Sequence, residues 1–267
     1  MLHEKARETC IVALKKGGQV LLDHMGGSLK TVVKESISSV VTEADLASEK
    51  AILEILGNTT SPFNIITEET GYVDHGSEFT WVVDPLDGTS NFAANLPWFG
   101  VIITLFRDEV PILGGMHLPS EKQVYFTVSG EGAKNNGQAI RCSNSRDLSE
   151  LLVSYSFDFS DQAGKTETEM AILGKLSKKV RNIRSTNSLL DFCYTADGRT
   201  GAAINQTTKI WDIATAWLMI AEAGGTVSDI EGREIRFDLS PGSFDRNYTI
   251  IASASGIHQK LIETIHP

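Results

Sequence analysis

The chain has 267 residues, 41% hydrophobic and 22% charged, the composition of a globular protein with one large domain or two packed halves. Its 34 acidic and 24 basic side chains leave a formal charge of -10, which argues against a nucleic-acid polymer or an anionic membrane as partner. The opening MLHEKARETC has no signal pattern, no apolar run approaches ~18 residues, and Cys10, Cys142 and Cys193 have no metal-like spacing, so a cytoplasmic protein with free thiols is expected.

Apolar residues at helical spacing predict a first helix over 4–25, stopped at Gly26-Gly27. A polar, mobile link over 30–40 carries Lys30 and Lys34. Thr42 opens a second helix, TEADLASEKAILEIL, with Asp45 three residues on in a capping-box arrangement and Gly57 as its stop. Short strands follow at 64–67, leading into Glu68-Glu69, and at 81–83. From 99 to 142 the pattern is β-rich (FGVIITLF, VPILGGMHL, QVYFTV), with a tight turn at Asn136-Gly137. LLVSYSF predicts a strand, 165–180 and 187–197 helices, and GAAI a strand. WDIATAWLMIAEA is a helix, TVSDI and YTIIASA are strands, and 256–265 is a last helix. This alternation predicts an α/β (α+β) protein, divided near residue 145 into halves 1–145 and 146–267.

Chemistry concentrates in WVVDPLDGTSNF, residues 81–92. As a lone motif DPLDGT reads first as a turn, since Asp-Pro and Asp-Gly both favour one. The same turn lets Asp84 and Asp87 face one space, because Pro85 fixes φ and withholds an N–H. Gly88 admits close backbone approach, and Thr89, Ser90 and Asn91 would start a short helix whose N–H groups suit an anion such as phosphate. Carboxylate, carbonyl and hydroxyl ligands suit Mg²⁺, and the six histidines show no zinc spacing. Glu68-Glu69 and Asp212 are each plausible as ordinary loop and helix-start residues. Together with Asp45 they form a set of acids at strand ends and helix starts.

Five stretches combine in order: Val41-Thr42-Glu43-Ala44-Asp45; Thr67-Glu68-Glu69; Trp81 through Phe92; Gly130-Glu131-Gly132-Ala133 with Asn136-Gly137; and Ile210-Trp211-Asp212-Ile213-Ala214 running to Gly224-Gly225. On these the chain resembles the inositol monophosphatase family, within the magnesium-dependent, lithium-sensitive phosphatases. The resemblance implies a layered α-β-α-β-α sandwich of the inositol monophosphatase/fructose bisphosphatase type, a homodimer, and two to three Mg²⁺ per site. Glu68, Asp84 and Thr89, with the Leu86 carbonyl, would hold one ion. Asp84, Asp87 and Asp212 would hold a second, and Glu68 with Glu69 a weaker third. Thr89 and Asp45, with Glu68, would act on the attacking water. Amides at Gly88, Thr89 and Ser90 would hold the phosphate, and Lys34 matches a lysine of the family's mobile loop.

The substrate side departs from the family. Thr186-Asn187-Ser188-Leu189 stands where Gly-Ser-Ala-Ala is common, and Asn205 stands where inositol-using members often carry glutamate. Ser188, Leu189 and Asn205 are thus the expected substrate-side residues. The implied reaction is Mg²⁺-dependent phosphomonoester hydrolysis by in-line attack of water. Inositol monophosphate is the first substrate expected. Fructose bisphosphate or another sugar phosphate, histidinol phosphate, adenosine bisphosphate and NADP are alternatives. Haloacid dehalogenase phosphatases place one residue, not two, between their aspartates. A silent scaffold on the same fold is the remaining reading, and the intact acidic set argues against it.

Overall fold

The computed structural model describes residues 2–26, 31–33, 40–58, 62–158, 162–243 and 246–266. Lys30, Lys34 and the Thr42 side chain lie outside the described residues. In chain order the first elements are α1 (Leu2–His24), β1 (Thr31–Val33), β2 (Val40–Thr42), α2 (Glu43–Leu56), β3 (Asn64–Thr67), β4 (Gly71–Val73), β5 (Phe79–Asp87) and α3 (Thr89–Ala93). A meander follows: β6 (Gly100–Arg107), β7 (Val110–Leu118), β8 (Gln123–Val128), β9 (Ala133–Asn135) and β10 (Gln138–Ala139). The remainder comprises β11 (Leu152–Ser156), α4 (Lys165–Leu176), β12 (Asn182–Arg184), α5 (Leu190–Ala196), β13 (Ala202–Thr208), α6 (Ile210–Glu222), β14 (Gly225–Ser228), β15 (Tyr248–Ala254) and α7 (His258–Ile265).

Alternation along the strands builds the layers. Trp81 and Val83 of β5 face α1 and α2, in a core with Cys10, Leu14, Ile52 and Val101. Val82 points the other way, into a central core with Ile102, Ile213, Ala216, Ile220 and Ile250. A third core joins Val153, Ile204 and Ile251 to Ile172 of α4 and Leu261 of α7. The order is therefore helix, eight-stranded sheet, helix, five-stranded sheet, helix, the expected layered sandwich. Burial of alternate side chains on both faces of each sheet drives this stacking. Tight packing around β7 needs two glycines. A Cβ on Gly114 would lie 2.6 Å from the Thr215 hydroxyl of α6, and one on Gly115 would lie 2.5 Å from Leu14 of α1.

The larger sheet runs β10-β9-β8-β7-β6-β5-β3-β4 and the smaller β12-β11-β13-β15-β14. β3 and β5 are parallel, with Thr67 opposite Val83, so residues 68 and 84 leave adjacent strands at the same end. Asn136 and Gly137 adopt φ 48° and 80°, as the expected hairpin turn requires.

Several boundaries differ from expectation. The described ends of the 30–40 link form a two-stranded antiparallel ribbon, β1 with β2. The strand expected at 81–83 runs on to Asp87, because a register shift between Asp84 and Asp87 absorbs Pro85 without a lost ladder donor. GAAI extends to Thr208 through a similar irregularity after Asn205. The helices expected over 165–180 and 187–197 shorten to α4 and α5, and the TVSDI strand ends at Ser228. No helix among the described residues is long and apolar enough to cross a membrane.

Candidate active site

The turn at the end of β5 is closed from within. Asp84 Oδ1 accepts the Leu86 N–H at 3.0 Å, bridging the proline, and Ser48 of α2 donates to the Pro85 carbonyl at 2.8 Å. Gly88 follows at φ 80°, where an added Cβ would stand 2.5 Å from the Trp98 carbonyl. Only glycine fits that turn. The Phe92 N–H then bonds back to the Gly88 carbonyl at 2.9 Å and starts α3, the short helix expected at Thr89.

Ligand oxygens of Asp84, Asp87 and Asp212 lie within 4.8 Å of one another. Two come from β5 and one from the first turn of α6, where Asp212 Oδ2 accepts the Lys209 N–H at 2.6 Å. Asp87 accepts the Leu189 N–H from the loop before α5. Such a cluster cannot carry full charge without compensation. Burial pushes the Asp84 carboxyl well above its ordinary range, and Glu68, Asp87 and Asp212 push it further. Asp87 is pushed up to about 7, first by burial, with the Leu189 N–H opposing and Glu68, Asp191 and Asp158 adding to the rise. Asp212 is raised well above its ordinary value by burial and then by Asp87. Glu68 acts on all three, which sets it electrostatically beside the cluster.

Asp45 is buried on α2 and accepts from the Thr89 hydroxyl at 3.3 Å. The same hydroxyl lies 2.9 Å from the Leu86 carbonyl, so its single proton is shared between two acceptors. Glu69 and Ser90 are half-buried and exposed respectively, each next in sequence to a residue of this group. The Ser188 side chain faces Gly88, whose Cβ would sit 3.2 Å from that of Ser188. Leu189 offers its N–H to Asp87, while its side chain is fully buried in the central core. Asn205 is half-buried, and its Oδ1 accepts the Thr207 N–H at 2.8 Å, holding the irregular stretch of β13.

Further residues of the site escape sequence reasoning. Asp158 raises Asp87 and Asp212 and accepts from Asn187 at 2.8 Å. Its position just past β11 repeats the strand-end pattern of Glu68, which was the available signal. Asp191 is buried at the start of α5 and accepts from the Ser156 hydroxyl at 2.9 Å and the Thr186 N–H at 3.3 Å, fixing the loop that leads to Leu189. A carboxylate inside the apolar stretch LLDFCY was its signal. Asn91 donates to the Trp98 and Thr186 carbonyls at 2.9 and 2.8 Å, tying α3 to that loop.

Carboxylates from several element ends gather where a helix of the central layer meets the strand ends, in a layered α/β protein with an acidic cluster able to hold a cation. The chain belongs to the inositol monophosphatase family, whose model matches residues 3–267. It is 33% identical to the Nus factor SuhB of Pasteurella multocida, covering 96% of this chain and 94% of that protein. It is 29% identical to the fructose-1,6-bisphosphatase/inositol-1-monophosphatase of Thermotoga maritima, with 96% and 94% covered. The crystal structure of extragenic suppressor protein suhB from Bartonella henselae superposes with a TM-score of 0.88 at 29% identity, covering 97% of both chains.

Proposed function

We propose that this protein is a magnesium-dependent phosphomonoesterase that releases inorganic phosphate from a small phosphorylated alcohol, with inositol monophosphate the first candidate. The carrying observation is the convergence of Asp84, Asp87 and Asp212 within 4.8 Å. An all-oxygen donor set fits Mg²⁺. Asp84, Asp87, Asp212, Glu68, the Thr89 hydroxyl and the Leu86 carbonyl would hold two ions, and Glu69 would contribute to a weaker third. When bound, Mg²⁺ supplies neutralising charge for the phosphate and a more acidic water.

The chain's own groups do the rest. Asp45 acts through the Thr89 hydroxyl, with Glu68 nearby, to orient the attacking water and draw its proton. Amides at Gly88, Thr89 and Ser90 hold phosphate oxygens at the start of α3. Ser188 and Asn205 border the alcohol side, with Leu189 contributing its backbone N–H to Asp87, and Lys34 matches the lysine of the family's mobile loop. In this reading residues 1–145 carry most metal and phosphate ligands, while 146–267 carry Asp212 and the substrate side. The protein acts as a cytoplasmic homodimer and is inhibited by lithium. Light scattering tests the dimer.

The deciding experiment is phosphate release by the purified protein from inositol monophosphate, fructose bisphosphate, histidinol phosphate, adenosine bisphosphate and NADP, with Mg²⁺ or with excess chelator. Release that requires Mg²⁺ and disappears in Asp212→Asn supports the reading. Rates no higher than those of that variant on every substrate would reject it. The name Nus factor on relatives such as that of Pasteurella multocida favours a second reading, a Nus factor role without turnover. That reading predicts the null result in the same assay.

A further inference from the structure

We infer that Glu49, which none of the motifs includes, is the positioning residue for the Glu68-Glu69 turn, and that α2 is a strut joining both halves of the carboxylate site. The inference rests on the metal-site reading above. Asp45, Ser48 and Glu49 occupy one face of α2, at spacings of three and four residues. All three are buried, with Glu49 only 3% exposed. Each reaches a different part of the site. Asp45 accepts from Thr89, Ser48 donates to the Pro85 carbonyl, and Glu49 Oε1 accepts from the Thr70 hydroxyl. Thr70 also gives its N–H to Thr67 Oγ1 at 3.1 Å, closing the turn that presents Glu68 and Glu69.

The tether fixes where the turn stands. Thr67 pairs with Val83 on the neighbouring strand, so the turn that follows it starts beside the end of β5 that carries Asp84. A hydrogen bond to a carboxylate is stronger than one to a neutral acceptor. Thr70, next to Glu69, is therefore held at both its N–H and its hydroxyl. Glu49 keeps this role at a cost, since its buried Oε2 has no hydrogen-bond partner among the described residues. An apolar residue at that place would spare the cost and lose the tether.

Two measurements test the inference on Glu49→Ala, Glu49→Gln, Thr70→Val and, as a control, Ile52→Val. Ile52 is fully buried on the same helix and contributes to the core with α1. In metal-free protein, amides 68–71 lose hydrogen-exchange protection in Glu49→Ala and Thr70→Val but keep it in Ile52→Val. In calorimetric titration with Mg²⁺, Glu49→Ala binds about tenfold more weakly, the low end for groups that orient a metal ligand. Glu49→Gln recovers part of the loss, and turnover at saturating Mg²⁺ stays near wild type. Wild-type protection or wild-type affinity in Glu49→Ala overturns the inference, as does an equal loss in Ile52→Val. A wild type that binds no Mg²⁺ removes the phosphatase reading, while the exchange data still decide the role of Glu49.

Discussion

Asp87 and Asp212 come from different elements, yet burial raises both carboxyls, and Asp87 raises Asp212 further. In the phosphatase reading, Asp87→Asn and Asp212→Asn each remove one charge from the proposed cation site. Each is expected to lower turnover at least ~100-fold, only about 2.7 kcal/mol of barrier, with circular dichroism and melting temperature close to wild type. Steady-state rates at saturating Mg²⁺ check this. The raised carboxyls also fix a pH dependence. In metal-free protein, Asp87 moves from an ordinary 3.8 to about 7, so between those values the native state holds more protons than the unfolded chain. Its contribution to stability is complete below 3.8 and is lost as pH rises through about 7. Mg²⁺ binds the ionised form, so the rise in melting temperature on adding Mg²⁺ should grow from about pH 5 to about pH 8. Thermal scans with chelator and with Mg²⁺ measure it, and a constant increment would contradict the assigned shift. Asn205→Glu offers a narrower test. If the side chain borders the alcohol, the variant gains on inositol monophosphate relative to a sugar bisphosphate, because a carboxylate is the stronger hydroxyl acceptor. If Asn205 only holds the Thr207 N–H, the rates on both substrates move together.

At the level of the element, the turn from β5 to α3 carries the most information per residue. Pro85 sits at the register shift, where no ladder donor is missed, and Ser48 takes the carbonyl that the irregularity frees. Gly88 completes the turn with positive φ and a close approach to the Trp98 carbonyl. Gly88→Ala is expected to destabilise the fold by roughly 1–3 kcal/mol from backbone strain, and by more if the Trp98 contact cannot relax. At this chain length that lowers the melting temperature by roughly 2–4 °C per kcal/mol. Differential scanning calorimetry reads the shift. The sequence pattern placed this strand and its aspartates but ended it early, because apolar alternation stops at Val83 while hydrogen bonding to β6 continues. Three-residue strands such as β4 and β12 were not legible at all, since so few residues carry no period.

For the whole molecule, the central helical layer is decisive. α6 covers Val82, Ile102 and Met116 of the larger sheet while also packing on Ile250 and Ala252 of the smaller one. Residues 1–145 alone would leave that apolar face in water. The fragment is expected to lack a sharp unfolding transition and to bind a hydrophobic dye strongly, whereas the full chain melts cooperatively and binds little. A fragment with a native-like melt and no dye binding would show that the first sheet is stable without α6.

The sequence by itself determined which residue types stand at strand ends, where Pro85 and Gly88 force a turn, and where the apolar strand segments lie. Those are consequences of local chemistry, with periods of a few residues. The meeting of Asp212 with Asp84 and Asp87 was expected from the family resemblance and not from local chemistry, and only the tertiary structure decided that Leu189 contributes a backbone N–H while its side chain fills the core. It also decided that Asp158, Asp191 and Glu49 stand behind the site. These outcomes depend on the parallel register of β3 with β5 and on where α6 enters between the sheets. Both are set by burial summed over the whole chain, which no short stretch of sequence contains.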